Sequence, residues 1–179
     1  STRYRHADMP DLSERLARSQ ANRKLIVTDT VFSMDGDEAP VSGIAALARD
    51  SGALLACDDA HGFGVLAGGQ GHLLANGLDE KSVPLLMVTF GKALGAGGAA
   101  IAGPASFIDA LLQQARPFIF DTALPPVMAA AALAGLRVLE TDPRPPATLE
   151  RNVRLFRTAL AEHGLPATRS HGPIQPVVL

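Results

Sequence analysis

Apolar positions along the chain follow two spacings, and the switches between them mark out the elements. Leu25-Ile26-Val27-Thr28 is a short β-branched run and predicts a strand. Ala53-Leu54-Leu55-Ala56-Cys57 and Pro84-Leu85-Leu86-Met87-Val88-Thr89 are continuous apolar runs. Ala99-Ala100-Ile101-Ala102 is another, in Gly-rich surroundings. Strands that are apolar on both faces suit a buried parallel or mixed sheet. Helical spacing falls between and after them. Asp8-Met9-Pro10-Asp11 offers a cap and an early proline, and Leu12 and Leu16 follow at i, i+4. Val41–Arg49 places Ile44, Leu47 and Ala48 on one face and ends at Ser51-Gly52. Three more helices are expected: about 105–114, from Pro126 to about Leu139, and from Ala147 to His163-Gly164. Thr141–Pro146 is Pro-rich and charged and reads as a connector. Pro176-Val177-Val178-Leu179 reads as a terminal strand. The pattern is α/β, a mostly parallel sheet with flanking helices.

Composition narrows the partners. The 179 residues are 47% hydrophobic with a formal net charge of −2, enough for one sizeable core and without a basic stripe for nucleic acid. No apolar run approaches the roughly 20 residues that span a bilayer. No secretory leader opens the chain. One cysteine, Cys57, excludes an intrachain disulfide framework and makes a cytoplasmic location the expectation. It begins at Ser1 and ends inside an apolar run, as if cut from a longer polypeptide.

In open α/β sheets, ligands bind at the carboxyl ends of the strands, and three ends here carry reactive groups. The first expected strand runs into Asp29-Thr30-Val31-Phe32-Ser33-Met34-Asp35-Gly36-Asp37, dense in acids and hydroxyls, although Asp-Gly is also a common turn pair. The second ends at Asp58-Asp59-Ala60-His61. Two acids directly after a buried run are costly unless partnered. One carboxylate there could hold a protonated nitrogen heterocycle, with His61 beside a phenolic oxygen of the same ring. A helix cap or a metal pair are the alternatives; for a metal, His72, His163 and His171 look scattered and surface-like. Cys57 reads as a small buried hydrophobe. The third strand ends at Thr89-Phe90-Gly91-Lys92, where a desolvated amine would suit a Schiff base, with a snorkelling surface lysine as the alternative. A phosphate loop would need Gly where Leu86 stands, and a dinucleotide fingerprint would need Gly where Ala67 stands. An acid, a histidine and a lysine on neighbouring strand ends match the needs of pyridoxal phosphate (PLP), an electron sink when a carboxylate keeps its ring nitrogen protonated.

These segments resemble the α-oxoamine synthases, PLP enzymes of the aspartate-aminotransferase-like fold. The matching residues are Phe32-Ser33-Met34-Asp35-Gly36-Asp37 with Ala39-Pro40, Asp58-Asp59-Ala60-His61-Gly62, Thr89-Phe90-Gly91-Lys92-Ala93-Leu94-Gly95, and Arg116–Phe120 leading to Thr122-Ala123-Leu124-Pro125-Pro126. The resemblance implies that Lys92 carries PLP and moves the α-proton, and that Asp58 pairs with the ring nitrogen. His61 and Ser33 would line the ring, and Thr89 would contact the phosphate. Thr122 would reach the phosphate of a neighbouring subunit in a homodimer with shared sites. Asp121 stands where Ser or Thr is common, Phe63 where Thr is usual and His72 where Arg is usual. A carboxylate facing phosphate would repel it, so Asp121 is expected to point away.

Within that family, Gly36-Asp37 before Ala39-Pro40, and Phe90, favour the biotin-pathway branch. That branch joins L-alanine to a pimeloyl thioester, on CoA or a carrier protein, with loss of CO2. Sister enzymes that use glycine are the alternative. Residues 1–140 would be part of the PLP-binding large domain, and 141–179 the connector and start of a small C-terminal domain. The family also uses a ring-stacking His and a carboxylate-binding Arg from regions outside this stretch. The piece alone is therefore expected to be an inactive structural fragment of an active parent.

Overall fold

The computed structural model describes residues 1–166 and 168–177. Four strands form one sheet in sequence order: β1 (Leu25–Asp29), β2 (Leu54–Asp58), β3 (Leu85–Thr89) and β4 (Ala99–Ala102). The first three are parallel, and β4 returns antiparallel to β3. The sheet is thus mixed, as the two-sided apolar runs predict. Helix α1 (Met9–Arg18) precedes β1, α2 (Val41–Asp50) joins β1 to β2, and the single turn α3 (His72–Ala75) lies between β2 and β3. Helices α4 (Ala105–Gln114), α5 (Arg116–Ile119), α6 (Pro126–Thr141) and α7 (Arg144–Glu162) follow the sheet.

Local chemistry explains the boundaries. Asp8 caps α1, its carboxylate accepting from the Asp11 amide at 2.8 Å, and Pro10 fills the first turn. Ser51 closes α2, and Gly52 takes φ +63° beyond it, as a helix-ending glycine does. Helix α7 begins at Arg144, three residues before the expected start, so the connector shrinks to Asp142 and Pro143. Pro145 and Pro146 belong to its first turn, where the missing N–H would have no intrahelical partner anyway. Asp142 accepts from the Arg144 amide at 2.9 Å and pairs with its guanidinium. The expected terminal strand is not formed at Pro176 and Val177; Val178 and Leu179 lie outside the described residues.

The core lies on one face of the sheet. Ile26, Leu55 and Cys57 pack against Val41, Ile44, Ala45 and Ala48 of α2 and Leu12 of α1. Ile44 and Leu55 are each 1% exposed. Burial of Cys57 drives its thiol up to about 12, so it acts as a small hydrophobe, as expected. The opposite face stays open, with Leu25 54% and Val27 61% exposed. This two-sidedness decides which carboxylates can meet a ligand. Register places Asp29 beside Asp58 on the open face, whereas Asp59 follows the parity of Leu55 and Cys57 inward.

Candidate active site

Strand ends bring four titratable groups together. Asp29 and Asp58 are register partners at the carboxyl ends of β1 and β2. His61 lies on the turn after β2, and Lys92 on the loop after β3. Their fields overlap. Burial pushes Asp29 above the usual carboxylate range, Asp58 adds to this, and His61 and Lys92 oppose it. Burial holds His61 below its ordinary value, Lys92 acts the same way, and Asp58 and Asp29 pull it back up. His61 is therefore a neutral imidazole at pH 7, able to donate from one nitrogen and accept at the other. Asp58 is half-buried, and its Oδ1 accepts from the Ala60 amide at 2.9 Å, which aims the carboxylate along the turn.

Lys92 stands near the tip of the hairpin that links β3 to β4. Phe90 donates to Gly98, Ala96 to Phe90 and Gly95 to Lys92, closing the loop, and Gly95 and Gly98 take φ +60° and +103°. The lysine is exposed rather than desolvated, which corrects the sequence expectation. The reason is geometric: β3 is only half-buried from Leu86 onward, and Lys92 lies past it on the hairpin, where no element covers it. Thr89 closes β3 with its hydroxyl donating to the Gly98 carbonyl at 3.3 Å. Ser33 sits exposed on the loop after β1. That loop is braced by His6, whose Nε2 lies 2.7 Å from Asp37 Oδ2 and whose ring leans against Phe32, tilted by 55° with centroids 4.1 Å apart. Thr122 is exposed beyond α5, away from this group in sequence and not joined to it by any hydrogen bond among the described residues. Asp121 turns back on its own backbone and accepts from the Thr122 amide at 2.9 Å.

Sequence reasoning missed Asp29 as a member of the site and misjudged His72. Asp29 was visible only as one acid in a dense loop; its register partnership with Asp58 arises only in the folded sheet. His72 is 1% exposed, not a surface residue. Its amide donates to Asp59 Oδ2 at 3.1 Å, its Nδ1 lies 3.2 Å from Glu38 Oε2, and its Nε2 lies 3.2 Å from the Asn76 amide nitrogen. Asn76 Nδ2 can only donate, so the ring proton is assigned to Nδ1, facing Glu38. Among the described residues no group of three or more His, Cys, Asp or Glu side chains is placed to hold a metal ion.

The aminotransferase class I and II family model matches residues 1–179. The chain belongs to that family. An 8-amino-7-oxononanoate synthase of Methylococcus capsulatus is 49% identical over 178 residues, 99% of this chain and 46% of its own length. The synthase of the same name from Alkalilimnicola ehrlichii is 48% identical over the same share. Among solved structures, a serine palmitoyltransferase from S. paucimobilis, in a complex that contains PLP, superposes with a TM-score of 0.92 at 32% identity, covering 99% of this chain and 47% of that one. The 8-amino-7-oxononanoate synthase of Francisella tularensis gives 0.81 at 28% identity, covering 99% and 52%. The chain therefore spans about half the length of the curated relatives it matches.

Proposed function

We propose that this chain is the PLP-anchoring part of an 8-amino-7-oxononanoate synthase, which condenses L-alanine with a pimeloyl thioester and releases CO2 and the free thiol. The observation that carries the reading is the meeting of Asp58, His61 and Lys92 at neighbouring strand ends, in a chain 49% identical to synthases of that name. The donor set fits PLP: a carboxylate, an imidazole and an amine stand at neighbouring strand ends, close enough that Lys92 and Asp58 both act on His61. The cofactor, when bound, supplies an electron sink for the α-carbon of the amino acid.

Each residue has a defined task. Lys92 would hold the cofactor through Nζ, and that amine would move the α-proton. Asp58 accepts a hydrogen bond from the protonated ring nitrogen through its carboxylate. His61 donates to the ring's phenolic oxygen. Ser33 would line the ring, and Thr89 would contact the phosphate by turning its one hydroxyl proton away from the Gly98 carbonyl. Thr122 serves the phosphate of a partner subunit. The exposed run Phe118, Ile119, Phe120, Leu124 and Val127 supports a homodimer, because a patch of this kind rarely stays uncovered. Residues 1–140 form the large-domain portion, and residues from 141 onward begin the small domain. The reading implies a cytoplasmic enzyme; among the described residues no helix is long and apolar enough to cross a membrane.

Incubating the full-length parent with PLP, L-alanine and pimeloyl-CoA tests the assignment. Free thiol and 8-amino-7-oxononanoate are expected. Neither product forming would overturn it, and turnover with glycine but not alanine would place the parent among the sister enzymes.

A further inference from the structure

Asp59 is the acid that the proposed chemistry leaves unused. It is 2% exposed, directly between the ring-facing Asp58 and the turn that carries His61. Each oxygen of its carboxylate is spoken for. Oδ1 accepts from the Thr30 hydroxyl at 2.5 Å, and Oδ2 from the His72 amide at 3.1 Å. Thr30 itself is fully buried, and its amide donates to the Asp58 carbonyl at 2.9 Å. On the other side the Asp59 amide donates to Met87 of β3 at 2.8 Å, and its carbonyl accepts from Gly62 and Phe63. The residue thus ties the ends of β1, β2 and β3 to the start of α3. Two glycines leave the space for it: a Cβ at Gly62 would lie 2.2 Å from Oδ1, and one at Gly71 2.7 Å from Oδ2. Burial pushes this carboxyl above its usual range, against the pull of Thr30 and His72.

We infer that Asp59 is a positioning residue, whose inward anchor on Thr30 and the His72 amide holds the turn Asp58–His61 with Asp58 and His61 presented together on the open side. Consecutive residues of an extended strand point to opposite sides, so an inward clamp at Asp59 directs Asp58 outward. The return of the chain to Gly62 and Phe63 then sets His61. The inference rests on the PLP reading for its purpose, but the geometry stands without the cofactor.

The test follows the His61 imidazole resonance through a pH titration of the cofactor-free chain, assigned with a His61→Gln variant. Groups facing His61 are Asp29 after β1, Asp58 after β2 and Lys92 after β3. Asp59 is not among them but couples to Asp58, so Thr30→Val, which leaves every charge in place, is the variant that reaches His61 by moving the turn. Thr30→Val and Asp59→Asn are expected to return the His61 titration toward the ordinary histidine value, and to weaken PLP binding by about tenfold, the scale of one lost hydrogen bond. Thr30→Ser, which keeps the hydroxyl, is expected to match the unsubstituted chain. If Thr30→Val and Asp59→Asn stay folded and leave the titration unchanged, the inference is overturned. If Asp59→Asn does not fold, Thr30→Val against Thr30→Ser decides. If the unsubstituted chain and its full-length parent both fail to bind PLP, the cofactor reading falls, while the titration still decides the role of Asp59.

Discussion

Asp29 and Asp58 stand side by side as register partners, one at the end of each of two parallel strands, with their side chains on the same open face of the sheet. Burial disfavours the ionised form of Asp29, the Asp58 charge adds to this, and Lys92 opposes it. Asp29 is accordingly part of the electrostatics of the site. Replacing it changes stability in a direction that can be worked out. Its folded-state pKa is raised, so the folded chain binds that proton more tightly than the unfolded chain. Stability then falls as pH climbs from the ordinary carboxylate value to the raised one, and stays lower above it. Asp59 acts with the same sign. Urea unfolding of Asp29→Asn across this window is expected to show a smaller loss than the unsubstituted chain and a higher midpoint at pH 7. An equal or larger loss would contradict the raised pKa.

Lys92 is exposed, so Lys92→Ala should leave stability within about 0.5 kcal/mol. Its effect should be chemical. After borohydride treatment in the presence of PLP, intact mass of the unsubstituted full-length parent is expected to gain one reduced cofactor, and the Lys92→Ala parent none. An adduct retained by the alanine variant would move the anchoring amine elsewhere.

Asp58→Asn removes the charge that would hold the ring nitrogen's proton while preserving the shape of the side chain. A hydrogen bond to a charged group contributes about 1.5–3 kcal/mol, so PLP affinity measured by equilibrium fluorescence titration should fall by about 10- to 150-fold. An unchanged affinity would remove Asp58 from the site.

Gly135 of α6 sits against the lysine hairpin. A Cβ there would lie 2.8 Å from the Leu94 carbonyl oxygen and 3.1 Å from its Cα, both backbone atoms that cannot swing aside. Alanine gains about 1 kcal/mol in helix propensity, but overpacking typically costs about 1–3 kcal/mol. Gly135→Ala is therefore expected to destabilise the chain, read as a lower urea midpoint. A stabilised variant would mean that α6 does not press on the hairpin.

Ile44 supplies the control for the core. At 1% exposure between α2 and the sheet, Ile44→Ala should cost about 2–5 kcal/mol by urea unfolding, larger than any surface change above. A cost below about 1 kcal/mol would place the core elsewhere.

The sequence by itself determined the elements and the reactive residues. The β-branched and apolar runs predicted all four strands to within a residue or so at each end, because each run is unbroken by polar residues along its length, even though only one face of the sheet is covered. The cap at Asp8 and the Gly52 stop were legible because they depend on neighbours a few residues away. Asp58, His61 and Lys92 could be named because each follows an apolar run directly. What only the tertiary structure decided was which side each of them faces and what stands beside it. Lys92 looked buried from its neighbours in the chain but projects from a hairpin tip. His72 looked superficial but is enclosed by Glu38, Asn76 and the Asp59 carboxylate, residues up to 34 positions away. Two adjacent aspartates read as one motif, yet strand parity sends Asp58 to the open face and Asp59 into the core. Local propensity acts along the chain and can be read from it; parity and enclosure depend on strand register and on side chains brought in from distant positions, which exist only once the sheet has formed.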